Sequence, residues 1–158
     1  MPRKETLARA RQAATEGKAP STQAGEFVRE EIEEIREGKH GVRSTKQAIA
    51  IGLSKARRAG VKLPPPKKGE VSEETRRKAE REYAAAQSGV KASPSPKRSR
   101  ATVRALKRES GEAASSRALS EQARSAARRR SAADKSLAAK KSARNRAGSD
   151  RKPSSKRT

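Results

Sequence analysis

Large apolar side chains fall mostly within one window of this sequence. Of its 17 Leu, Ile, Val and Phe residues, 11 lie between Phe27 and Val71. Ordering a residue costs on the order of 1–2 kcal/mol of backbone entropy, against roughly 25 cal/mol gained per Å² of apolar surface buried. A packed core is therefore expected inside that window and not across all 158 residues. The chain as a whole combines scarce apolar side chains with a formal net charge of +23, which is the composition of disordered segments.

The window reads as two helices. In "KHGVRSTKQAIAIGLSKARRAG" (39–60), Ser44 and Gln47 have capping-box spacing, the helix runs from Thr45 to about Ala59, and Gly60 stands at the C′ position. Ile49, Leu53 and Ala56 form its stripe, Gly52 permits close backbone approach, and Ile51 points nearly the opposite way. The preceding helix is expected to start after Ser21 or Thr22 and to end at Glu37, before Gly38. Its apolar arc is Ala24, Val28, Ile32 and Ile35, with Phe27 at the edge. Glu26, Glu30, Glu33, Glu34 and Glu37 lie behind, while Glu31 falls nearer the arc.

The fold class that follows is mainly α: a small helical hairpin or helix-turn-helix-like core with an extended helical or disordered basic C-terminal tail. The core is residues 20–63, preceded by a short helix within 1–19 (Lys4 to Glu16). "LPPPKKGE" places a stiff Pro-rich spacer at 64–71. Residues 72–89 read as a solvated connecting helix capped by Ser72, with Glu73–Arg77 and Glu74–Lys78 pairs. Residues 90–158 form a Ser/Ala/Lys/Arg tail, largely disordered until its charge is neutralised.

Charge divides unevenly along these segments. Net charge is −1 over 1–38, +8 over 39–70, +1 over 71–92 and +15 over 93–158. Such a distribution points to a polyanion partner, because Lys and Arg at phosphates release counterions whatever the sequence. The candidate contacts on the hairpin are Arg43, Lys46, Lys55, Arg57 and Arg58. In the tail they are Lys97, Arg98, Arg100, Arg104, Lys107, Arg108, Arg124, Arg128, Arg129, Arg130, Lys140, Lys141, Arg144 and Arg146. Gly41, Arg43, Ser44, Thr45 and Lys46 also stand where a helix N-terminus can receive a phosphate, although capping alone explains Ser44 and Thr45. Phe27 and Tyr83 are the only aromatics, too few for base-stacking platforms, which favours duplex backbone over single strands.

Other chemistry finds little support. There is no cysteine, and His40 is the single histidine, expected in a solvated loop. No metal, cofactor or enzymatic activity is expected. The longest apolar run, "AIAIGL", is far short of a membrane span, and "MPRKETLARA" lacks the apolar region of a secretory signal, so an intracellular protein is expected.

Two resemblances sharpen this. "PSTQAGEFVREEIEEIREGKHGVRSTKQAIAIGLSKARRAGVKLPPPKKG" (20–69) resembles an uncharacterised family of small basic bacterial proteins, a domain of unknown function. "SRATVRALKRE" and "SRALSEQARSAARRR" look like the basic tails that follow it. The resemblance implies a bacterial cytosolic or nucleoid setting. The tail is also similar in composition to linker-histone-like bacterial proteins, and Ser95-Pro96-Lys97-Arg98 resembles the Ser-Pro-basic-basic repeats of linker-histone tails, which enter A·T-rich minor grooves.

The leading expectation is a nucleoid-associated, histone-like protein that binds DNA without sequence preference, self-associating through Ile49 and Leu53 or through Ile51. The first alternative is an RNA- or ribosome-associated basic structural protein. The second is a stress-related interaction protein whose acidic helix, with six glutamates from Glu26 to Glu37, masks the basic tail.

Overall fold

The computed structural model describes residues 2–89, 95–130 and 132–149, with backbone alone at 133, 138, 141 and 145–149. Helices are Lys4–Thr15 (α1), Pro20–Arg36 (α2), Thr45–Arg58 (α3), Glu73–Gln87 (α4), Pro96–Leu106 (α5), Ser116–Arg129 (α6) and Ala132–Ser149 (α7), with a 3-10 turn at Glu112–Ala114. No strand occurs among the described residues. The protein is mainly α. Two compact units divide it, residues 1–119 and 120–158.

Within the first unit α2 and α3 pack most extensively, and α1 lies on α2 while α4 lies on α3. The crossing of α2 and α3 is set by Gly52. A Cβ there would stand 2.6 Å from Val28 Cα, so only glycine lets the backbones meet. Two small cores form on either side of that crossing. One gathers Ala10, Ala24, Phe27, Ala56 and Val61, with Leu7, Leu53 and Leu63 against it. The other gathers Ile35, Val42, Ala48 and Ala114, with Ile32, Ile51, Leu106 and Ala113.

The α3 boundaries follow from local chemistry. Ser44 Oγ accepts the Gln47 N–H at 3.2 Å, and Gln47 Oε1 accepts the Arg43 N–H at 2.9 Å, one residue outside the usual capping box. At the far end Gly60 has φ +93°. Val61 N–H donates to Ala56 O at 3.1 Å and Gly60 N–H to Arg57 O at 3.0 Å, a Schellman arrangement.

Several expectations are corrected. α2 begins at Pro20, in the first helical position after Ala19, where its missing N–H costs nothing; neither Ser21 nor Thr22 caps it. The back of α2 is no solvated acidic face. Glu30 is fully buried and accepts the Arg3 N–H on both oxygens, at 3.1 and 3.2 Å. Arg9 pairs with Glu26 at 2.8 Å and Arg3 with Glu37 at 2.9 Å, so α1 docks on the glutamates. On α4 the ion pairs are Arg76 with Glu73 and with Glu80, not Glu73–Arg77 and Glu74–Lys78. That helix also docks on α3, burying Ala79 and accepting a 2.5 Å bond from Ser54 Oγ at Glu82. Finally, Ile51 has a partner after all. It packs on the second core, which is completed by Ala114. The compact unit therefore extends to Leu119, well beyond residues 20–63.

In the second unit, residues 120–129 of α6 and all of α7 are helical. The described side chains of α7 are exposed, and none on α6 is fully buried.

Candidate nucleic-acid interface

α5 carries the densest unpaired charge in the first unit. Ser95 caps it by accepting the Arg98 N–H at 3.3 Å, and Pro96 takes the first helical position. The Ser-Pro-Lys-Arg stretch is thus a helix start; its neighbours Ser93 and Pro94 lie outside the described residues. At about 100° per residue, Lys97, Arg100 and Arg104 share an arc of roughly 60° on α5, and Lys107 and Arg108 stand in the turn that ends it. The three helical cations span about 10 Å along the axis at ~1.5 Å per residue. Arg98 points away from that arc, toward the other side of the helix. All six are exposed, and no Asp or Glu occurs from Ser95 to Arg108. Among the described residues none of the six makes an ion pair. Across 1–58, by contrast, Arg3, Arg9, Lys18, Arg29, Lys39, Arg43 and Lys55 all pair with carboxylates.

The hairpin cations have different fates. Lys46 is exposed, and Arg58 is exposed with its Nε donating to Ser54 O at 3.3 Å. Arg43 is exposed but bound to Glu109 at 2.8 Å, and that hydrogen bond raises its pKa further. Arg57 is turned inward. It is buried, and its guanidinium donates to Leu63 O and Pro64 O at 3.3 and 3.4 Å, which pins the Pro-rich spacer. Burial lowers its pKa, and Glu82 partly offsets that. Lys55 is likewise engaged, 2.7 Å from Glu31 Oε2 and 2.6 Å from Glu34 Oε2. Neither Arg57 nor Lys55 faces outward to meet a phosphate.

Part of the region that leads into α3 is engaged by the chain itself. Gly41 N–H donates to Leu106 O and Val42 N–H to Ser110 O, both at 3.0 Å. Thr45 Oγ1 donates to Ala113 O at 2.6 Å. The donors expected to receive a phosphate at Gly41 and Thr45 are spent on residues 106–113.

His40, expected in a solvated loop, is brought by folding to a carboxylate pair. Ligand atoms of Glu31, Glu34 and His40 lie within 4.8 Å of one another. Glu31 is fully buried, and His40 Nε2 stands 3.4 Å from its Oε1. Lys55 already supplies one positive charge to the two carboxylates, although its contact with Glu31 is an ion pair without an aligned hydrogen bond. Burial works against the Lys55 charge, yet Glu31 and Glu34 outweigh burial and leave its pKa raised. Lys55 is the cation that holds the buried Glu31 and its neighbour Glu34.

Beyond α5, Arg124, Arg128, Arg129 and Arg130 are exposed, the first three lining a shallow groove with Glu121 and Ser125. Lys140 and Arg144 are exposed one turn apart on α7, whereas the side chains of Lys141 and Arg146 lie outside the described residues. Lys107, at the end of the α5 stripe, lines an open cleft of about 590 Å³ with Lys39, His40 and Glu109. Lys39 was missed by sequence reasoning because nothing local ties it to residue 107.

A protein family of unknown function (DUF6496) matches residues 16–68, the segment holding α2, α3 and the first part of the spacer. That part of the chain is similar to an uncharacterised domain; α5 and the basic helices after it lie outside the match. No curated protein and no solved structure matches the chain. No helix among the described residues is long and apolar enough to cross a membrane.

Proposed function

We propose that this protein binds the phosphate backbone of duplex DNA, without reading its sequence, through α5 and the basic helices that follow. The observation that carries this reading is the set of six exposed cations from Lys97 to Arg108 with no carboxylate partner among the described residues. A duplex presents one phosphate charge per ~1.7 Å of axis, so a cationic face about 10 Å long, continued by Lys107 and Arg108 in the next turn, meets several at once. Contacts of this type position a protein and carry no base information. Phe27 is fully buried, which leaves Tyr83 as the one aromatic not enclosed and further weakens any single-strand stacking mode. The resemblance to small basic bacterial proteins suits a nucleoid setting.

The glutamates of α2 are engaged by Arg3, Arg9, Lys39 and Lys55, which speaks against their masking the tail. Leu53 and Ile51 pack against the two cores while only partly buried, and Ile49, half-buried, belongs to neither core, so of the three Ile49 is the one left for self-association. The test is competition at fixed salt between two duplexes of unrelated sequence and a structured RNA. Equal displacement by the two duplexes, ahead of RNA, supports the proposal. Preference for RNA moves the protein to the ribosome-associated reading, and binding to one duplex alone refutes sequence independence.

A further inference from the structure

α5 has no fully buried residue and packs on no other helix to the extent that α1–α4 pack together. It is held at its C-terminal end. The segment that follows, residues 106–114, is seated on the corner between α2 and α3 by contacts of several independent kinds. Gly41 N–H donates to Leu106 O and Val42 N–H to Ser110 O, each at 3.0 Å. Thr45 Oγ1 donates to Ala113 O at 2.6 Å and Arg36 Nε to Ala114 O at 2.9 Å. Arg43 pairs with Glu109, and Ala114, fully buried, fills the second core beside Ile35, Val42 and Ala48. The fit at Gly41 admits no side chain. A Cβ there would lie 1.9 Å from Glu109 O and 2.3 Å from its carbonyl carbon. These are backbone atoms that cannot swing aside, so any residue but glycine at 41 excludes the seated segment.

We infer that Gly41 and Thr45 are positioning residues for the nucleic-acid site. They join the segment resembling the uncharacterised family to the α5 cation stripe outside it, and so fix the direction in which that stripe is presented. The inference rests on the proposed function, since it needs α5 to be a binding face. A preoriented face loses less freedom on binding than one that must be ordered first. Releasing the seat therefore weakens binding while leaving every cation in place. Affinity falls roughly three- to tenfold, as for loss of preorganisation, but the slope of log affinity against log salt stays unchanged because the number of phosphates neutralised is the same.

The experiment compares the full chain with Gly41→Ala and Thr45→Val, using hydrogen exchange and duplex DNA titrations at several salt concentrations. Thr45→Val removes one bond of the seat without the backbone collision and keeps the test decisive if Gly41→Ala does not fold. The expected result is lost protection at the amides of residues 41 and 42, retained protection around Phe27, and weaker binding at unchanged slope. Retained protection in Gly41→Ala overturns the seat. Lost protection with unchanged affinity overturns the positioning role. A parallel Arg100→Ala/Arg104→Ala variant keeps the two levels separate: if it binds like the wild type, the proposed function of α5 fails, whatever the Gly41 result.

Discussion

Replacing Lys55 with Met tests the buried ion pair between α2 and α3. Glu31 is fully buried, and the Lys55 ammonium stands 2.7 Å from its Oε2. Removing one partner of a buried pair leaves an uncompensated charge and costs about 3–5 kcal/mol. Glu34 adds little to that figure, because it keeps 17% of its side chain exposed and water replaces the ammonium. A unit of this size has a stability on the order of 5–15 kcal/mol, so the variant loses a large share and melts about 10 °C lower or more. The double variant Glu31→Leu/Lys55→Met puts apolar groups in place of both charges and recovers most of the loss, as buried pairs generally do when replaced together. Urea and thermal unfolding followed by circular dichroism at 222 nm measure both. The pH dependence has a definite sign. The Lys55 pKa is raised above 10.5 in the folded chain, so its stabilisation is fully present below that value and is lost as pH rises through the folded pKa. The gap between wild type and Lys55→Met is therefore constant at neutral pH and closes above about pH 10.5. A Lys55→Met variant within about 0.5 kcal/mol of the wild type, or a double variant no more stable than the single one, refutes the reasoning.

Gly52→Leu forces α2 and α3 apart at Val28 and costs about 3 kcal/mol, at the upper end for overpacking; chemical denaturation reads it. Ser44→Ala removes the acceptor for the Gln47 N–H and costs about 1 kcal/mol, typical of an N-cap. A chain ending at Leu119 keeps α5 and both cores and retains salt-sensitive DNA binding. One ending at Gly89 removes Ala114 from the second core and loses stability as well as affinity.

What was legible in the sequence was local. Ser44, Gln47 and Gly60 mark both ends of α3 because capping chemistry operates within four residues. Gly52 announces a close crossing because glycine inside an otherwise good helix needs such a reason. Tertiary chemistry was not legible. Glu30 belongs to the polar face by spacing, yet it is buried where the Arg3 backbone, just before α1, reaches it. Ile51 made no sense on a two-helix surface, since its core is completed by Ala114 from a segment far along the chain. Arg57 and Lys55 looked like surface cations because charge runs are usually solvated, and only the folded Leu63, Pro64 and Glu31 turn them inward. The α5 stripe was present in the spacing of Lys97, Arg100 and Arg104, with Lys107 and Arg108 in the turn that ends it.

The central claim is that the α5 cations meet phosphates, and the salt dependence of duplex DNA binding tests it most directly. Each phosphate contact contributes about 0.9 to the slope of log affinity against log salt. Arg100→Ala/Arg104→Ala/Lys107→Ala/Arg108→Ala in the full chain is predicted to keep the helical signal of the wild type and to reduce that slope by roughly 3–4. A variant that binds with the wild-type slope would contradict the account.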